Sequence, residues 1–261
     1  MTYSIPSIKA KLKRIAQEKG VPFMTILFRY FHERILYRLS VSDYKDNFCL
    51  KGGSLLYAMK QEASRPTKDI DFLGQQISND TDNLIKTFKE IFQIDYQEDG
   101  VTFDLDSITT EQITENSAYA GTKIKIDVCL GKIRNKMQID IGFGDVITPT
   151  SEEIKFPTFL DNMDVPLIKA YNAQSIIAEK FQAMIDLGTS NGRVKDFYDV
   201  YNLLLREEYD DLEPAILKTL SVRNTPYTQN HVLFTQEFAQ NSTPSALGIK
   251  LLTYSLATFA P

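Results

Sequence analysis

Three runs in the middle of the chain, KDIDFL, TKIKIDVCL and NKMQIDIGF, alternate between polar and apolar residues or are rich in branched apolar ones. Period-two alternation places successive side chains on opposite faces of a strand, so these segments read as half-buried β-structure whose polar face is loaded with carboxylates. In KDIDFL, Asp69 and Asp71 fall on one face while Ile70 and Phe72 turn to the core. Two neighbouring carboxylates repel and raise each other's pKa unless a cation neutralises them, and a hard oxygen site of this kind suits Mg²⁺. The plain alternative is an exposed strand edge with solvated aspartates.

A third carboxylate is expected beside that pair. In KMQIDIGFGD, Met137, Ile139 and Ile141 alternate with Gln138 and Asp140, so Asp140 projects away from the core. Asp127, in KIKIDVCL, sits in a similar alternation and competes for the role, whereas Asp145 follows two glycines and reads as a turn residue. Asp69, Asp71 and Asp140 are taken as the metal set. Three carboxylates around two Mg²⁺ ions suit the alignment of a hydroxyl with an α-phosphate, with pyrophosphate leaving.

Upstream lies LKGGSLLYAM. Gly52 and Gly53 permit close backbone approach, Ser54 is placed to cap the following helix and to offer a hydroxyl, and a helix N-terminus supplies amide donors to phosphate. Alone, Gly-Gly-Ser before a helix is as well explained by a structural cap. Arg65 and Arg193 are further phosphate-binding candidates.

In SIIAEKFQAMIDLG, Lys180 lies four residues after Ile176 and four before Met184, on a face shared with core residues. Two readings stay open: the side chain snorkels past apolar neighbours, or it holds a triphosphate. In VKDFYDVYNLLL, Lys195 and Asp199 are four apart and Asp196 and Asp199 three apart. A surface ion pair explains the spacing, and Asp199 beside Tyr198 and Tyr201 is also suited to position an acceptor or take its proton.

The chain reads as α/β (α+β): helices and a mixed-sheet core over residues 1–147, then a mostly helical part over 148–261. Two helices open it, broken at Gly20, Val21 and Pro22, and the stretch from Thr148 to Pro166, rich in Pro, Asp and Asn, reads as a loop. The formal net charge is −5, yet residues 1–36 hold Lys9, Lys11, Lys13, Arg14, Lys19, Arg29 and Arg34 against Glu18 and Glu33, giving 7 − 2 = +5. This is either a solvated helix face or a surface for nucleic-acid phosphates.

Cys49 and Cys129 form no CxxC pair, and a reducing cytoplasm is expected. No stretch reads as a signal peptide or membrane span. The chain lacks a phosphate-loop motif, a G-x-S-x-G elbow, and, with only His32 and His231, a zinc H-E-x-x-H pair.

LKGGSLLYA, RPTKDIDFL, QIDIGFGD, IIAEKFQAMIDLG and NGRVKDFYDVYNL resemble, in order, the motifs of the AbiEii/AbiGii toxins, which have the nucleotidyltransferase (polymerase-β-like) fold and serve type IV toxin–antitoxin and phage-abortive systems. The resemblance implies an NTP substrate, Mg²⁺ and a cognate AbiEi-like antitoxin. It maps the nucleotide and metal site onto Gly53, Ser54, Asp69 and Asp71, and the later motifs onto Lys180 and Asp199. Members of the related MenT group add nucleotides to the tRNA acceptor end, which implies an RNA acceptor. Fourteen residues separate Ser54 from Asp69, more than in the founding motif. The other readings are a nucleotidyltransferase for a small molecule and a non-catalytic nucleotide-sensing or protein-binding module.

Overall fold

The structure is a computed structural model and describes residues 3–60, 67–113, 121–188, 194–205, 209–228 and 231–235. The chain divides into two compact units, one of Met1–Gly144 with Glu152–Ala170 and one of Asp145–Ser151 with Tyr171–Pro261.

The first unit opens with α1 (Ile5–Glu18) and α2 (Phe23–Ser40). Ser4 caps α1, accepting from the Ser7 amide at 3.4 Å, and Ile8, Leu12 and Ala16 recur every four residues as its buried stripe. Gly20, at φ +62°, makes the turn at the expected break. The second helix departs from expectation. It is buried nearly all round, including Arg29, His32, Glu33, Arg34 and Arg38, so Arg29 and Arg34 do not belong to an exposed basic surface.

Their partners, most of them distant in sequence, explain why those charges tolerate burial. The Arg34 guanidinium lies 2.8 Å from Glu33 and donates to the Asp164 carbonyl at 3.0 Å. Arg38 meets Asp99 at 2.6 Å, and Arg29 lies over the Tyr57 ring, 4.2 Å from its centroid. Buried charge is kept where it is paired and hydrogen-bonded.

The sheet unit continues with β1 (Phe48–Lys51), α3 (Gly52–Lys60), β2 (Asp69–Gly74), α4 (Thr81–Gln93), β3 (Val101–Ile113), β4 (Gly121–Leu130), β5 (Ile133–Phe143), β6 (Glu152–Lys155) and β7 (Leu167–Ala170). Among the described residues they form one seven-stranded mixed sheet in the order β3-β4-β5-β2-β1-β7-β6. The three alternating runs of the sequence become β2, β4 and β5. The stretch read as a loop from Thr148 to Pro166 contains β6, a four-residue strand paired antiparallel to β7.

Ile70, Phe72, Ile124, Ile126, Met137, Ile139 and Ile141 are fully buried. Phe72, Phe48 and Phe88 of α4 form a chain of tilted rings at 5.7 and 5.1 Å. Burying each such ring contributes about 1.5–3 kcal/mol. The alternate positions of β2, β4 and β5 carry the polar face of the sheet.

The second unit contains α5 (Ala173–Leu187), α6 (Val194–Leu204) and α7 (Leu212–Val222). Asn172 caps α5 by accepting from the Ser175 amide at 2.7 Å. Arg223, just past α7, meets Asp145 at 2.8 Å and Glu179 at 3.1 Å. Among the described residues, no helix is long and apolar enough to cross a membrane.

Candidate functional site

The parallel register of β2 and β5 sets Asp71 beside Asp140 and Asp69 beside Gln138. Each of Asp69, Asp71 and Asp140 offers a carboxylate oxygen, and these atoms all lie within 4.8 Å of one another. Asp127 stands elsewhere: on β4 it faces Lys136 of β5 and accepts from Arg134 at 2.7 and 3.1 Å. Geometry thus gathers Asp140 and leaves Asp127 in an ion-paired cluster.

Burial, reinforced by Asp69 and Asp140, pushes the Asp71 carboxyl up to about 6, with Lys51 offsetting part of the effect. Asp140 is also raised, first by burial, while Gln138 and Lys123 counteract. The Gln138 side-chain amide donates to both Asp140 oxygens at 3.0 Å. The Thr67 hydroxyl donates to Asp69 Oδ1.

The glycines serve this cluster directly. A β-carbon on Gly52, at φ +67°, would fall 1.9 Å from Asp71 Oδ2, and one on Gly53 would fall 2.8 Å from the Thr67 side chain. The Gly53 amide donates to Asp71. The space opened by the two glycines is therefore filled from the protein's own strand and the residue leading into it. Ser54 departs from the expected cap: α3 begins at Gly52, and Ser54 is buried within its first turn. Its hydroxyl lies 3.1 Å from the Asp69 carbonyl and 3.0 Å from His32 Nδ1.

Lys180 and Asp199 belong to the second unit. Lys180 Nζ sits 2.7 Å from Asp196 and 2.9 Å from Asp199, and both aspartates are buried. The i,i+4 spacing of Lys195 and Asp199 concealed this arrangement, in which a cation from the preceding helix meets both acids. Arg65 and Arg193 lie outside the described residues.

A family model described as the nucleotidyl transferase AbiEii toxin of Type IV toxin–antitoxin systems matches residues 34–248. The chain belongs to this family. It is a nucleotidyltransferase of the AbiEii toxin type, and its α/β sheet unit is the fold that membership entails. No curated protein matches it in sequence.

Three solved structures are similar to the chain. A candidate nucleotidyltransferase from H. pylori is 14% identical, with a TM-score of 0.47, and 86% of this chain and 91% of that one are covered. JHP933 from Helicobacter pylori is 14% identical, with a TM-score of 0.46 and coverage of 86% and 88%. An antigenic nucleotidyltransferase-like protein from Paracoccidioides brasiliensis is 12% identical, with a TM-score of 0.44 and coverage of 73% and 88%.

The donors suit the divalent metal that AbiEii membership calls for. Three carboxylates supply hard oxygens of the kind Mg²⁺ and Mn²⁺ take, and their mutual repulsion is what a cation would relieve. Sequence reasoning missed the supporting groups, namely His32, Thr67, Gln138 and Lys123. Gln138 left a signal, sharing the polar face with Asp140 two residues away.

Proposed function

We propose that this AbiEii protein transfers a nucleotide from an NTP to an RNA acceptor, the tRNA 3′ end, as the cytoplasmic toxin of a type IV toxin–antitoxin or phage-abortive system held in check by a cognate AbiEi-like antitoxin. The observation that carries the reading is the cluster of Asp69, Asp71 and Asp140, its oxygens within 4.8 Å of one another, beside the N-terminus of α3. Those three residues would hold Mg²⁺, two ions in the full complement. When bound, the metal supplies charge neutralisation for the phosphates and the leaving pyrophosphate.

The chain's own groups do the rest. The N-terminal turn of α3 stands beside the carboxylates, where the Gly52 amide is the donor for a triphosphate oxygen while the Gly53 amide stays on Asp71. Asp140 accepts the proton of the attacking hydroxyl. The acceptor oxygen bonds to the α-phosphorus, the bond from that phosphorus to the bridging oxygen breaks, and pyrophosphate leaves. Ser54, with its hydroxyl turned inward, shapes the nucleotide site rather than reaching out of it. Lys180, Asp196 and Asp199 act as one ion cluster that ties α5 to α6 within the second unit, with Lys180 and Asp199 as that unit's own candidates for phosphate and acceptor.

An RNA acceptor is supported by α1 and its C-cap, where Lys9, Lys11, Lys13, Arg14 and Lys19 stand against Glu18 alone. Lys13, Arg14 and Lys19 are exposed, unlike the arginines of α2. Such a surface favours phosphate contacts that weaken with salt.

The test is incubation of the protein with Mg²⁺, total tRNA and each α-³²P-labelled NTP in turn, resolved on a denaturing gel. Label on tRNA that disappears with Asp69→Ala is the expected result and names the base. Absence of label with every NTP would turn the reading toward a small-molecule acceptor or a non-catalytic module.

A further inference from the structure

The strand that carries Asp69 and Asp71 is unevenly supported. Pairing of β2 with β1 begins at Asp71, opposite Lys51, whereas pairing with β5 begins at Asp69. Asp69 thus has a strand neighbour on one side only. On its carbonyl it receives the Ser54 hydroxyl at 3.1 Å, delivered from the first turn of α3. Ser54 Oγ in turn lies 3.0 Å from Nδ1 of His32 on α2. Both side chains are 1% exposed, so water does not compete for either bond.

Proton counting leaves one direction in which both contacts are made. A serine hydroxyl has one proton and a carbonyl can only accept. Both contacts are satisfied together when Ser54 donates to Asp69 and His32 donates from Nδ1 to Ser54. The imidazole then carries its proton on Nδ1; burial favours a neutral ring without choosing between its two nitrogens, and the Lys68 backbone also meets the ring. An apolar side chain would fill the same volume without donating to Ser54, leaving the hydroxyl free to turn off the Asp69 carbonyl.

We propose that His32 is a positioning residue for the metal-binding carboxylates, acting through Ser54 to hold the first residue of β2 where the Asp69 side chain meets Asp71 and Asp140. The inference rests on the reading that these three aspartates bind a divalent cation. Groups that orient metal ligands from behind cost about 10- to 100-fold in metal affinity when removed.

The experiment is direct Mn²⁺ binding to the full chain, followed by the electron paramagnetic resonance of free Mn²⁺, with urea unfolding run alongside. His32→Ala and Ser54→Ala should each weaken Mn²⁺ binding about tenfold. The double variant should be no worse than the weaker single one, since both act on one bond chain. His32→Asn, whose side-chain amide can donate from the position of Nδ1, should bind like the wild type. A purely structural histidine would change urea stability and leave the Mn²⁺ affinity of the folded protein alone.

Wild-type affinity in Ser54→Ala, or in a folded His32→Ala, would overturn the proposal, as would His32→Asn weakened as far as His32→Ala. If His32→Ala does not fold, Ser54→Ala and His32→Asn carry the test. A wild type that binds no Mn²⁺, or an Asp71→Asn variant that binds it unchanged, would instead remove the metal-site reading and this inference with it.

Discussion

A β-carbon placed on Gly52 would stand 1.9 Å from Oδ2 of Asp71. The glycine and the carboxylate are neighbours because Lys51, which precedes Gly52, is paired with Asp71 across β1 and β2. The chain leaves β1 at a left-handed residue, turns into α3, and leaves room for a side chain from the adjacent strand. Gly52→Ala should therefore act twice. The left-handed conformation costs about 1–2 kcal/mol for an L-residue, and displacement of Asp71 by an ångström is worth about 100-fold in transfer. Urea unfolding and single-turnover labelling would read the two effects separately. Full activity in a folded Gly52→Ala protein would mean that the Asp71 position is not needed.

Repulsion within the cluster sets a second expectation. Asp71 is buried against Asp69 and Asp140, with Lys51 giving only partial relief. In EDTA at pH 7, Asp71→Asn should be at least as stable as the wild type, because a source of like-charge repulsion is gone. Added Mn²⁺ should raise the melting temperature of the wild type and leave that of Asp71→Asn where it was. A wild type whose melting temperature ignores Mn²⁺ would refute the assignment.

Asp127 and Asp140 are separated by the same kind of measurement. Asp127 is tied to Arg134 and Lys136, while Asp140 faces Asp71 across the β2–β5 register. Asp140→Ala should abolish transfer. Asp127→Ala should keep it, with stability changed by about 1 kcal/mol or less, as is usual for partly exposed ion pairs. The reverse pattern would exchange their roles.

These carboxylates also show what could be read before the fold was known. Alternation in KDIDFL and KMQIDIGF placed Asp69, Asp71 and Asp140 on a polar face, because period two decides the face whatever the neighbours are. Alternation could not separate Asp140 from Asp127, which obeys the same rule. That choice belongs to strand order, where β5 lies next to β2 and β4 does not. The buried arginines were illegible for a related reason. Arg38 is paired with Asp99, 61 residues away, and Arg34 donates to a carbonyl 130 residues away, so no local pattern announces that α2 is surrounded. The four residues of β6 carried too short an alternation to stand out from their loop.

Glu33 provides a pH-dependent consequence of that buried helix. Burial pushes its carboxyl up to about 7, against the opposing effect of Arg34 and the Phe159 amide, which donates to it at 2.9 Å. A folded value above the unfolded one means that the native state binds more protons between about pH 4.5 and 7. The contribution of Glu33 is then fully present below that window and lost as pH rises through it. His32, whose pKa is lowered to about 4, has the opposite slope over part of the same range, so total stability does not isolate either group. The difference between the wild type and Glu33→Gln does. Relative to the wild type, the glutamine variant should gain on the order of 3 kcal/mol from pH 4.5 to 7.5. A pH-independent difference in urea unfolding would show that Glu33 titrates normally.

Lys180 separates structure from chemistry most sharply. Its ammonium lies within 2.9 Å of Asp196 and Asp199, and removing it takes a compensating charge from two buried carboxylates. Lys180→Met should cost about 3–5 kcal/mol in urea unfolding, the usual penalty for breaking a buried ion pair from one side. Adding Asp196→Asn and Asp199→Asn to that variant should recover most of the loss. Transfer decides whether the cluster also touches substrate. If the recovered triple variant is folded but labels no acceptor, the ion cluster takes part in the reaction. If it labels acceptor at the wild-type rate, Lys180 serves only the packing of α5 against α6, and phosphate binding rests on the first unit.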